Sequence, residues 1–148
     1  MSSEQFVVFQ LASEEYAIPI SQVKEIIRYN SATKLPNTPG YMDGIINLRG
    51  KVISVIDLAR KFALAVEKNS DRQALIVEVV DQEVGLVVDA VTEVLRLEDN
   101  TTEVANGIAH FSEFIRSIGK VDTRLLIILD LSKLFTQEEL TVFKEVGA

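Results

Sequence analysis

The chain has 148 residues, which favours one domain or two small intimate ones and is long enough to bury roughly 68–70% of its unfolded surface without staples. Its 22 acidic and 15 basic residues leave a formal charge of −7, a balance that repels phosphate backbones and anionic membranes and disfavours nucleic-acid binding. It contains no cysteine, which excludes a disulfide framework, thiol catalysis and cysteine-ligated metals and suits a reducing cytosol. Met1–Gln5 has no signal-peptide pattern, and no apolar run approaches the ~20 residues of a membrane span, so a cytoplasmic location without membrane insertion is expected.

Short runs of β type dominate. Phe6–Leu11 reads as a strand, Ala12–Glu15 as a polar turn and Tyr16–Ile20 as the returning strand of a hairpin. Pro19 lacks an amide donor, so that second strand is an edge or ends there. Ser21 is placed to cap one helical turn over Gln22–Glu25 before Ile26–Tyr29 resumes the extended form. Leu35–Gly40 is rich in turn residues. Gly44–Leu48 and Val52–Ile56 then flank Arg49-Gly50-Lys51, the pattern of a tight hairpin in which Gly50 takes a positive φ. Asp57 reads as the N-cap of a short helix, Leu58–Leu64, and Val66–Asp71 as a polar connector. Gln73–Val80 and Val84–Val88 form a second hairpin turned at Asp81–Glu83, and Asp89 is a turn or cap. Ile115–Val121 and Arg124–Leu129 are further strands. Asp130 repeats the apolar-Asp-Leu pattern of Asp57. Thr136 and Glu139 form a capping box that opens a final helix with Leu140, Val142, Phe143 and Val146 as its apolar stripe.

The chain also repeats itself. Glu15–Arg28 aligns without gaps on Glu83–Arg96, matching Val23 with Val91; Gly50-Lys51-Val52 aligns on Gly119-Lys120-Val121, and Val55–Leu58 on Ile128–Leu131 with four extra residues before the second block. Each copy ends on a phenylalanine, Phe62 or Phe135. Two β units, over about 5–65 and 72–135, are each too small for a good core alone. The expectation is a single domain of two closely packed small barrels.

Catalytic chemistry is hard to find. The one histidine, His110, has no nucleophile elbow beside it and, without cysteine, is a poor basis for a metal site. Asp57 and Asp130 sit where helix caps are needed, not where paired acid–base groups would be. Phosphate-binding glycine motifs are absent. No enzyme, cofactor or metal is expected. On the residues alone, Arg49 is either a solvated turn arginine or a guanidinium held out for a partner's carboxylate or carbonyl. Val23 and Val91 are either core residues or contacts.

Gly44-Ile-Ile-Asn-Leu-Arg-Gly-Lys-Val-Ile-Ser-Val-Ile-Asp-Leu58 resembles the signature segment of CheW-type coupling domains, with Ser54 where that family mostly has proline. Glu14–Ile18 with Val23–Ile26, Val84–Asp89 with Val91 and Val94, and Asp122–Asp130 resemble the family's other segments, so that residues 5–140 are covered. The resemblance implies a mainly β fold of two intertwined five-stranded SH3-like barrels, strands exchanged, with short helices and a C-terminal helix. It implies a non-enzymatic adaptor in chemotaxis signal transduction that bridges chemoreceptor tips and the regulatory domain of the histidine kinase CheA, in association with membrane-bound receptor arrays. Carried onto this sequence, receptor binding falls to Val23, Glu25, Arg49, Val91 and Val94, and kinase binding to Tyr41, Gly44 and Ile45. An amphipathic receptor helix would lie in a groove between the subdomains. Two alternatives stay open: an adaptor of this type in a non-chemotaxis chemosensory pathway, and a small-molecule-binding β-barrel.

Overall fold

The computed structural model describes residues 3–64, 71–98, 102–104 and 113–147; His110 lies outside them. In chain order the strands are β1 (Ser3–Leu11), β2 (Glu14–Pro19), β3 (Val23–Arg28), β4 (Met42–Leu48), β5 (Lys51–Asp57), β6 (Gln73–Val79), β7 (Gln82–Val88), β8 (Ala90–Glu98), β9 (Thr102–Val104), β10 (Ile115–Val121) and β11 (Arg124–Leu129). Helix α1 spans Leu58–Lys61 and α2 spans Gln137–Gly147. The fold is mainly β, as expected. One sheet has the order β3-β6-β7-β5-β4; the other runs β8-β1-β2-β11-β10 and adds the three-residue β9 at its edge.

Each sheet draws strands from both halves of the chain. β3 follows β2 but pairs with β6, and β8 follows β7 but pairs with β1. Both sheets carry the same internal order: an antiparallel hairpin, a parallel neighbour from the other half, then that neighbour's own antiparallel partner. Registers agree residue by residue. Tyr16 stands opposite Ile127 in one sheet, as Val84 stands opposite Ser54 in the other.

This pairing corrects the repeat in one place. Gly119 lies inside β10 opposite Leu126, the position held in the other sheet by Ile46 opposite Ile53. The counterpart of the Arg49-Gly50 turn is Asp122-Thr123, and no extra residues separate the blocks. A shared Gly-Lys-Val string had drawn the alignment out of register.

Burial explains why so many strands are apolar on both faces. Phe6, Val8, Ala17, Leu97, Leu126 and Ile128 fill one barrel. Tyr29, Val55, Ala74 and Val87 fill the other. The intervening residues Val7, Phe9, Tyr16, Ile18, Ile56, Leu75, Val77, Leu86, Val88 and Leu129 point the other way into one large shared cluster. Alternate side chains therefore serve two different cores, and runs such as Phe6–Phe9 lose the polar alternation of a half-exposed sheet.

Local chemistry follows the sequence with two differences. Asp57 caps α1 through the Arg60 amide at 3.3 Å, but the helix stops at Lys61, and Ala63 turns left-handed with φ +57°. Asp130 caps a 3₁₀ turn over Leu131–Lys133 through Ser132. The capping box is present: the Glu139 amide donates to Thr136 Oγ1 at 3.1 Å and the Thr136 amide to Glu139 Oε1 at 2.8 Å. Glu139 also holds Lys61 at 3.0 Å, fastening α2 to α1. Strand β2 ends on Pro19, as its missing donor requires. Beyond it the expected helical turn over Gln22–Glu25 is replaced by a 3₁₀ turn over Ile20–Gln22 with no side-chain cap, because Val23 already belongs to β3.

Candidate functional site

Strands β3 and β8 are the two that cross between sheets, and each carries a bulge at the matching place. Register shifts between Val23 and Glu25 opposite Val77 and Ile76, and between Val91 and Glu93 opposite Phe9 and Val8. The extra residues are Lys24 and Thr92. A strand without a bulge would send Val23 and Ile26 to opposite faces. With it, Val23 stands opposite Val77 and Ile26 opposite Leu75, both members of the shared cluster. In β8, Val91 stands opposite Phe9 and Val94 opposite Val7, again members of that cluster.

The outcome is an apolar strip contributed by both strands. Val23 and Val91 are half-buried and pack on the shared core, while Ile26 at 40% and Val94 at 48% stay exposed. The Val91 amide donates to Gln73 Oε1 at 2.8 Å, and Gln73 pairs with Arg28, so β8 begins where β3 ends. Sequence reasoning missed Ile26. The signal lies in the repeat, which places Ile26 on Val94, whereas the residue itself marks no more than an extended run.

The same bulges turn the neighbouring glutamates to the barrel mouths. Arg49, at the tip of the β4–β5 hairpin, donates both Nη groups to the Glu25 carboxylate at 2.6 Å each. Its side chain is 74% exposed even so, because the pair lies at the surface. The guanidinium hydrogen bonds, and then its charge, hold Glu25 below the usual carboxylate range. Beside it Lys51 meets Glu83 at 3.1 Å. At the other mouth a single Arg124 serves both repeat glutamates. It reaches Glu15 at 2.6 and 3.0 Å and Glu93 at 2.9 Å. Glu15 is lowered by this hydrogen bond, and Arg124 is raised by its bonds to Glu15 and then Glu93.

Of the expected receptor contacts, Glu25 and Arg49 are thus joined directly, and Val23, Val91 and Val94 share one strip. The expected kinase contacts lie elsewhere. Tyr41 and Ile45 are half-buried against the shared core, and Gly44 is buried. The Tyr41 ring covers Lys61 Nζ at 4.4 Å, where burial lowers the lysine. Gly44 has φ +147°, and a Cβ there would overlap the Thr33 carbonyl, whose residue bridges to Ile45 through two backbone bonds of 2.9 Å. Near this end Tyr29 donates to Asp43, and burial first, then that hydrogen bond, pushes the Tyr29 hydroxyl far up. Asp43 in turn meets Arg60 at 3.7 Å, and Arg72 joins Asp57 at 3.2 Å.

A family model described as CheW-like domain matches residues 5–139. The chain is 34% identical over 147 residues to the chemotaxis protein CheW of Klebsiella aerogenes, covering 97% of this chain and 89% of that protein. It is 36% identical over 136 residues to CheW of Helicobacter pylori, covering 90% and 82%. The crystal structure of the scaffolding protein TtCheW from Thermoanaerobacter tengcongensis superposes with a TM-score of 0.85 at 39% identity, covering 94% of this chain and 92% of that one.

Proposed function

We propose that this chain, which belongs to the CheW-like family, is a non-enzymatic adaptor that joins chemoreceptor tips to the regulatory domain of the kinase CheA at cytoplasmic receptor arrays. The observation that carries the reading is the apolar strip of Val23, Ile26, Val91 and Val94 with an exposed guanidinium beside it. A helical receptor tip has the complementary shape and chemistry: apolar side chains at i, i+3 and i+4 lie on the strip while a polar edge meets Arg49. Because Arg49 already satisfies Glu25, the receptor meets an ion pair rather than a bare charge, and its groups share or replace one of the two bonds. The kinase domain would dock on the end of the barrel formed by Tyr41, Gly44 and Ile45, where Gly44 keeps the Thr33 segment close and so shapes the end without a side chain of its own.

The barrel interiors argue against a ligand-binding barrel. Phe6, Val8, Leu126 and Ile128 fill one, and Val55, Ala74 and Val87 the other. A cleft of about 710 Å³ lies outside the barrels against α2, and its walls carry Lys24, Lys51, Glu78 and Glu83 already joined in pairs. Those four charges face one another across the cleft rather than converging on a small molecule.

Arg49→Ala tests the receptor site. The variant should retain its melting temperature within about 2 °C, since exposed ion pairs contribute little to stability, and should be captured several-fold less by receptor-containing membranes. Capture equal to the parent's would remove Arg49 from the site.

A further inference from the structure

The apolar strip has an approximate two-fold axis, because β3 and β8 hold matching places in the two barrels and carry the same bulge. A half turn exchanges Val23 with Val91 and Ile26 with Val94. An amphipathic helix lying across that axis would find nearly the same apolar contacts in either direction. The strip alone therefore does not decide which way a helix lies.

The charges around it are not symmetric. At the turn of the β4–β5 hairpin the first left-handed residue is Arg49, with φ +53°, followed by Gly50; at the matching turn between β10 and β11 it is Asp122, with φ +55°. Both are exposed, and they oppose each other in sign. The barrel mouths differ in the same sense. On the β3 side Lys24, Arg49 and Lys51 balance Glu78, Glu25 and Glu83 in pairs. On the β8 side, among the described ion pairs, Arg124 is shared by Glu15 and Glu93, the places of Lys24 and Glu78 being taken by the neutral Thr92 and Gln10, and Asp122 adds a further carboxylate.

We propose that this difference, focused at Arg49 and Asp122, selects one direction for the bound helix, which makes Asp122 a specificity-determining residue of the groove. The occupant is an amphipathic helix with an acidic group over the Arg49 side and a neutral or basic one over the Asp122 side. The inference rests on the groove reading above, and it concerns only the direction of docking.

The absence of cysteine makes the test direct. Arg28 and Arg96 are exposed, matched by the repeat and alike in charge, so Arg28→Cys and Arg96→Cys each place one nitroxide at an equivalent position of β3 or β8; each removes one cation from its own side, and a direction that is the same in both labelled chains is therefore not set by the label. The probe is a helical-hairpin fragment of a chemoreceptor tip carrying one nitroxide at its turn. Pulsed electron–electron distances should give one short and one long value, with one direction favoured about fivefold or more, the selectivity expected of a few exposed charges. Asp122→Arg, whose φ is already held by an arginine at position 49, should bring the two directions near parity at an unchanged melting temperature. The exchange of Arg49→Asp with Asp122→Arg should invert the two distances. Equal directions in the parent, or one unchanged direction in Asp122→Arg, would overturn the proposal. No binding of the fragment would overturn the groove reading itself and the polarity with it.

Discussion

Gly44 illustrates how a single position can be fixed by backbone rather than by contact. Its φ of +147° and the Thr33 carbonyl beside it leave no place for a Cβ. Gly44→Ala should cost about 2 kcal/mol, as strained backbone positions do, and chemical denaturation would read it as a lower midpoint at unchanged slope. A midpoint equal to the parent's would show that the Thr33 segment yields freely. Arg49 is the opposite case. The hairpin turn around it was legible in Asn47-Leu48-Arg49-Gly50-Lys51, because Gly50 invites a left-handed turn, and φ there is +84°. Its bond to Glu25 was not legible, since those residues meet only once β3 has crossed to the other sheet. Ser54, where the related segments mostly carry proline, is buried, and its hydroxyl has no partner among the described residues.

Among the elements, β3 and β8 bear most of the argument. Val23 and Val91 were legible as matched apolar positions, but the i, i+3 spacing that brings Ile26 and Val94 onto the same face depends on a bulge, and a bulge leaves little trace in residue type. Sequence reasoning assigns no strand at β8 beyond the matched valines, although its alternation of Thr92, Val94 and Arg96 with Glu93, Leu95 and Leu97 is that of a strand exposed on one side. Arg124 ties β11 to β2 and β8 through Glu15 and Glu93. Glu15 is lowered below its ordinary value of 4.5 by that contact. A carboxylate depressed in the folded state stabilises above its unfolded value, and that contribution is lost as pH falls through the folded one. The stability advantage of the parent over Arg124→Gln should thus be full near neutral pH and shrink as pH falls below about 4.5, when followed by urea midpoints. An advantage that stays constant to pH 3 would show that Arg124 acts by packing alone.

At the scale of the whole molecule, the two sheets are topologically interlocked. Each is built around a hairpin of one half, β1–β2 or β6–β7, and takes all its other strands from the other half of the chain. Chains cut in the connector between Leu64 and Asp71 should each remain largely unfolded alone and regain β-type circular dichroism when mixed. A half that folds alone would show that the exchange of strands is dispensable. The two-unit pattern was readable because apolar positions repeat in order, whereas the register of the second hairpin was not, since Gly50 and Gly119 share a string but not a structural place. The central claim, that this chain couples receptors to a kinase, is tested most directly by reconstitution. Receptor-containing membranes and CheA are mixed with and without the protein, and kinase autophosphorylation is measured. The account predicts a marked rise on addition of the parent chain and a weaker one with Arg49→Ala; an autophosphorylation rate unchanged by the parent chain would contradict it.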